Sequence, residues 1–158
     1  MNTVQVQAKL EPIWSTVRNI RSKLKEELAG HPAAVRNATA MVASELLENA
    51  IKYGEAVPTA PEIAFIFTLS EEELRIVVAN GAYGGRNVQR LQQHVAALKD
   101  AENRVALYTA RLQALLAEPN QVTGLGIYRI GLEGGYELEC TYENNVVTVI
   151  ATRSCHGR

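Results

Sequence analysis

Apolar residues return along this chain at two periods, and the switches between them mark out the elements. Thr3 to Leu10 alternates Val4, Val6, Ala8 and Leu10 with polar residues, a short edge-strand pattern. Ile13, Val17, Ile20, Leu24 and Leu28 then step by three or four, which predicts an amphipathic helix with Pro12 in its first turn and Gly30 as its stop. A second helix begins near Pro32 and runs to Gly54, with Val35, Ala38, Val42, Leu46, Ala50 and Tyr53 on one face. Glu55 to Pro61 holds Pro58 and Pro61 and reads as loop. Glu62 to Leu69 and Leu74 to Ala79 are rich in Ile, Val and Phe, flank a polar Ser70 to Glu73 turn, and predict a hairpin.

From Arg86 to Glu118 the period returns to three and four, through Val88, Leu91, Val95, Leu98, Ala101, Val105, Tyr108, Leu112 and Leu115. A single helix of this length would reach roughly 45–50 Å at about 1.5 Å per residue. A break near Lys99 to Asn103 would give two helices, and the pattern leaves both open. The stripe is either packed on its own domain or a surface for a homodimer or partner. Gly124-Leu125-Gly126 opens a short apolar helical run that Gly134-Gly135 ends. Tyr136 to Thr141 and Val146 to Thr152 then alternate around a Glu143-Asn144-Asn145 turn.

Composition narrows the class. The chain has 158 residues, of which 47% are hydrophobic, enough for one domain with a real core. Sixteen basic against 17 acidic residues leave a net charge of −1, which points to neither nucleic acid nor an anionic membrane as the partner. No apolar run approaches the roughly 18 residues of a membrane helix, and the first residues lack a signal pattern. Cys140 and Cys155 have no CxxC spacing, and a cytoplasmic protein with reduced thiols is the expectation. His31, His94 and His156 are too far apart to read as a metal set.

The candidate chemistry lies at the end of the second helix. In Ser44-Glu45-Leu46-Leu47-Glu48-Asn49-Ala50-Ile51-Lys52-Tyr53-Gly54, residues Glu45 and Asn49 are one turn apart on one face. A carboxylate and an amide so placed serve a metal or an attacking group. The plain alternative is a solvated face with a Glu48–Lys52 ion pair at i, i+4. Thr123-Gly124-Leu125-Gly126 offers glycines and a helix start, which suit a phosphate, or is an ordinary loop-to-helix turn.

Taken in order, Glu45-(x)3-Asn49-Ala50-(x)-Lys52-Tyr53 resembles the N box, and Thr123-Gly124-Leu125-Gly126-Ile127 the second glycine box, of the histidine-kinase-like (GHKL) ATPase superfamily. Within it, the anti-sigma-factor serine/threonine kinases are the nearest likeness, over most of the chain. The resemblance implies a two-layer α/β sandwich, with a mixed, largely antiparallel sheet covered on one face by helices. It implies ATP and Mg²⁺ as ligands, Glu45 as general base, Asn49 as the Mg²⁺ ligand, and Lys52, Leu125 and Gly126 beside the nucleotide. It implies as partner an anti-anti-sigma-like (STAS) protein or a sigma-like regulator.

The first glycine box departs from that family. Counting back from Gly81 puts Ala79 where the adenine-binding aspartate belongs, and a register slip puts Asn80 there. Asn80-Gly81 is then either a degenerate adenine site or a turn, with Gly84-Gly85 supplying the flexible backbone. The insert over 86–118 also replaces the family's short lid. A catalytically inactive pseudo-kinase that binds or dimerises is the rival expectation.

Overall fold

The computed structural model describes residues 3–117 and 125–155. Five strands and five helices follow one another as β1 (Val4–Leu10), α1 (Trp14–Glu27), α2 (Ala33–Tyr53), β2 (Ile63–Leu69), β3 (Glu73–Gly81), α3 (Arg86–Asp100), α4 (Arg104–Ala117), α5 (Leu125–Leu132), β4 (Glu137–Glu143) and β5 (Val146–Ser154). The strands form one sheet in the order β1-β2-β3-β5-β4, and every pairing is antiparallel. β1 is an edge strand, as its weak alternation predicts.

Period-two alternation turns one side chain in two toward the helices. Phe65, Phe67, Ile76 and Ala151 are fully buried on that side, with Val78, Val149 and Leu138 beside them. The neighbours of these residues on the other sheet face are half-buried or exposed. The result is a two-layer α/β sandwich with its helices on one face. Burying an aliphatic or aromatic side chain of this size contributes about 1.5–3 kcal/mol relative to exposure, so the inner sheet face dominates the core.

α2 is the central helix of the upper layer. It packs against α1, α5 and β3. Burial therefore extends round it to Thr39, Ala40, Ala43 and Ser44, well beyond the predicted stripe. Small side chains at these positions let the neighbours approach closely. Ser44 satisfies its hydroxyl on the Ala40 carbonyl one turn back, at 2.8 Å. Thr39 and Tyr136 share a buried hydroxyl–hydroxyl bond of 2.8 Å that ties α2 to the start of β4.

The 86–118 stripe resolves into two helices, broken at residues 101–103. α3 turns Val88, Val95 and Leu98 into the core, against β4 and α5. α4 lies on α5 yet buries no residue fully, and Val105 and Leu116 remain 59% and 75% exposed. The first half of the stripe is thus buried in its own domain, whereas in the second half Tyr108 is partly packed on the core and Val105 and Leu112 stay exposed. In the final hairpin, Asn144 and Asn145 take φ of 52° and 62°. Two consecutive left-handed residues make the two-residue turn whose twist suits antiparallel strands. Among the described residues, no helix is long and apolar enough to cross a membrane.

Candidate functional site

A cleft of about 320 Å³ opens between the C-terminal half of α2, the first turns of α3, the start of α5 and the inner ends of β3 and β5. Its volume falls in the range of about 300–1,000 Å³ typical of small-molecule sites. Val78, Ala82, Val147 and Val149 give it an apolar floor. Polar groups reach it from several elements: Glu45, Asn49 and Lys52 from α2, Asn80 from β3, and Asn87, Arg90 and His94 from α3.

Helical spacing explains the α2 contribution. Glu45, Asn49 and Lys52 lie on the cleft side, whereas Glu48 is adjacent to Asn49 and does not line the cleft. The Glu48–Lys52 ion pair expected from sequence spacing is not among the ion pairs of the described residues. Glu45 instead pairs across the fold. Its Oε1 accepts from Arg129 Nη1 at 3.2 Å, and Arg129 Nε donates to Glu133 Oε2 at 2.7 Å. The Glu45 side chain is only 18% exposed. Burial raises its pKa above the ordinary carboxylate value, and Glu48 adds to the rise. Arg129 and Lys52 pull it back down.

Gly126 is the glycine of the α5 start that meets this carboxylate. A Cβ there would collide with Glu45 Oε2. The start of α5 therefore meets the Glu45 carboxylate of α2 directly, which the sequence order alone did not show. Leu125 and Gly126 line the cleft. Thr123 and Gly124 lie outside the described residues.

Asn80 and Ala79 part as strand alternation requires. Asn80 lines the cleft with Val78, while Ala79 belongs to the opposite sheet face, paired with Ala64 and Thr148. The Asn80 Nδ2 donates to the Gly81 carbonyl at 3.0 Å, which leaves Oδ1 as the acceptor available to a ligand amino group. Gly81 itself is turned elsewhere. A Cβ on it would strike the Glu55 and Ala60 carbonyls and Val57, so it admits the 55–61 loop and does not line the cleft. Gly84 and Gly85 hold φ of 84° and 88° and form the bend into α3.

The α3 residues were not singled out by sequence. In the sequence, His94 stands too far from the other histidines to share a metal. Its Nδ1 is 2.8 Å from the Tyr128 hydroxyl, and its buried Nε2 has no partner among the described residues. Burial, with Arg111 and Arg90, pushes its pKa down and so favours the neutral ring. Arg111 of α4 stacks over Tyr128 at 5.2 Å from the ring centre. Arg129 was also missed, although it is the only charged residue in the apolar run Leu125–Leu132.

Arg90 and Lys52 bring positive charge to the cleft from two helices, and Asn49 adds a neutral amide. Among the described residues no three His, Cys, Asp or Glu side chains converge as a metal site. A divalent cation at Asn49 would draw its other ligands from phosphate and water, as Mg²⁺ does in phosphoryl-transfer sites. Asn49, Lys52 and Arg90 are the cleft groups that would face such a ligand.

No family model matches the chain, and no curated protein does. Among solved structures it is similar to a chain in the crystal structure of the SiaB–SiaC complex from Pseudomonas aeruginosa. The TM-score is 0.65 at 13% sequence identity, over 96% of this chain and 89% of that one. The two therefore share a fold along nearly their whole lengths.

Proposed function

We propose that this protein binds ATP with Mg²⁺ and phosphorylates a serine or threonine of a small partner protein in a bacterial partner-switching pathway. The observation that carries the reading is convergence: Glu45, Asn49, Lys52, Asn80, Leu125 and Gly126, drawn from three separated segments, line one cleft. Support for a regulatory protein partner comes from the solved neighbour, whose structure is a two-protein complex. An anti-anti-sigma-like (STAS) protein is the partner class that the sequence resemblance favours. The apolar residues left open on α4, Val105, Leu112 and Leu116, are proposed as the surface for that partner or for a second copy.

In this reading Glu45 accepts the proton of the partner's hydroxyl. The hydroxyl oxygen bonds to the terminal phosphorus of ATP as the bond from that phosphorus to its bridging oxygen breaks, and ADP leaves with the electron pair. Mg²⁺, when bound at Asn49, neutralises phosphate charge. Lys52 and Arg90 add positive charge beside it, and the α5 start offers backbone N–H groups. Asn80 Oδ1 takes the role of the missing aspartate toward the adenine amino group.

Labelled-phosphate transfer to a candidate partner tests this. Glu45→Gln should lower transfer by about 10²–10⁴-fold with ATP affinity little changed. Glu48→Gln, outside the cleft, should retain it. Equal loss in both, or full activity in Glu45→Gln, contradicts the assignment. A non-catalytic binding module is the second reading, favoured by an asparagine, Asn80, lining the cleft where the resemblance calls for an adenine-binding aspartate. It predicts partner capture with no transfer.

A further inference from the structure

We infer that Arg129 is the positioning residue for Glu45: its guanidinium, itself held by Glu133, fixes the Glu45 carboxylate against the start of α5. This rests on the proposed role of Glu45 as base and adds to it the group that keeps the base in place.

The geometry has three parts. Glu133 lies one turn beyond Arg129, in the turn after α5, and takes its Nε at 2.7 Å, which anchors the planar guanidinium. The Nη1 so aimed reaches Glu45 Oε1 at 3.2 Å, across 84 positions of sequence. Glu45 Oε2 occupies the space that a Cβ on Gly126 would take, with no hydrogen bond from any described residue. One carboxylate oxygen is therefore held and the other is left to accept a proton. A lysine could not hold both glutamates through one rigid planar fork.

The charges around Glu45 make the assignment specific. Glu48 and Lys52 act on it from α2, Arg129 from α5 and Glu133 from the turn after it, while Tyr108 of α4 acts on Arg129. Burial and Glu48 favour the protonated acid, which cannot accept a proton. Of the two opposing cations, Arg129 has the larger effect and is the one in contact. Removing it leaves a half-buried carboxylate beside a like charge.

The test uses the full chain and reads Glu45 directly. Side-chain carboxyl NMR with carbon-13-labelled glutamate, assigned with Glu45→Gln, follows Glu45 through a pH titration in wild type, Arg129→Met and Arg129→Lys. Arg129→Met should raise the Glu45 midpoint, and Arg129→Lys should return part of the rise. In the transfer assay, Arg129→Met should lower kcat by about 10–10²-fold, the scale of a base displaced by about 1 Å, and move the acid limb of the pH–rate profile upward. The ATP Kd should not change. An unmoved Glu45 midpoint in Arg129→Met overturns the inference, whatever the transfer assay shows. A midpoint that moves while Glu45→Gln transfers phosphate normally sustains the Arg129–Glu45 pair and instead refutes the base assignment.

Discussion

Gly126→Ala separates stability from function at this site. The added Cβ would occupy the space of Glu45 Oε2 and lie 3.2 Å from its Cδ. Gly126 has no positive φ, so alanine fits the backbone, and helix propensity favours it by up to about 1 kcal/mol in an interior position. Against this stands the Glu45–Arg129 pair, with side chains 18% and 38% exposed, which is worth roughly 0–1 kcal/mol at such exposure. The two nearly cancel. The variant should melt within about 2–4 °C of wild type, the shift that 1 kcal/mol produces at this size. Glu45, however, must swing away by about 1 Å, enough to cost about 10²-fold in transfer rate. Differential scanning calorimetry and the transfer assay on one preparation give both numbers. A variant that folds normally and transfers phosphate at the wild-type rate would refute the placement of Glu45 at the glycine turn. A collapse in stability would show that Gly126 serves packing alone.

Three further outcomes follow from particular contacts. Tyr136→Phe strands the fully buried Thr39 hydroxyl and should cost about 1–3 kcal/mol in denaturant unfolding, with Thr39→Val in the same chain restoring much of it. Because burial raises the folded-state pKa of Glu45, its stabilising share is present below the unfolded value and is lost as pH rises through the folded one. Glu45→Gln should therefore gain stability relative to wild type as pH rises above the ordinary carboxylate value of 4.5, read as a melting difference that grows with pH. Leu98→Glu places a charge at a position 2% exposed and should unfold the domain, whereas Leu112→Glu with Leu116→Glu on open α4 should change stability by only about 0.5 kcal/mol. If α4 is the association surface, light scattering or partner pull-down with that double variant shows the loss.

What was legible in the sequence was local. The alternation in β2, β3 and β5 reported the inner sheet face, and the Asn144-Asn145 pair reported a tight hairpin. Even the choice between Ala79 and Asn80 was available, since Leu74, Ile76, Val78 and Asn80 share one strand parity. Counting back from Gly81 obscured it, because that glycine accommodates the 55–61 loop and not a ligand. What periodicity could not supply was which faces meet. Ala40, Ala43 and Ser44 look neutral in a helical pattern, yet they are buried because α1, α5 and the sheet close on α2 from several directions. The stripe from Val88 to Leu115 looked continuous, and only tertiary packing distinguishes its buried half from its partly open half. The Glu45–Arg129 contact joins segments far apart in the chain, so the i, i+4 rule nominated Lys52 as a partner for Glu48 and was silent on Arg129.

The central claim is that the cleft takes a Mg²⁺–ATP ligand, and calorimetric titration measures it most directly. Wild type should give saturable heat with ATP and Mg²⁺ and much weaker binding with ATP in the presence of a chelator. Asn49→Ala, with the fold intact by circular dichroism, should lose that difference, because it removes the protein's oxygen ligand for the cation. Absence of heat and of any thermal shift at millimolar ATP and Mg²⁺, in a folded wild-type protein, would contradict the account.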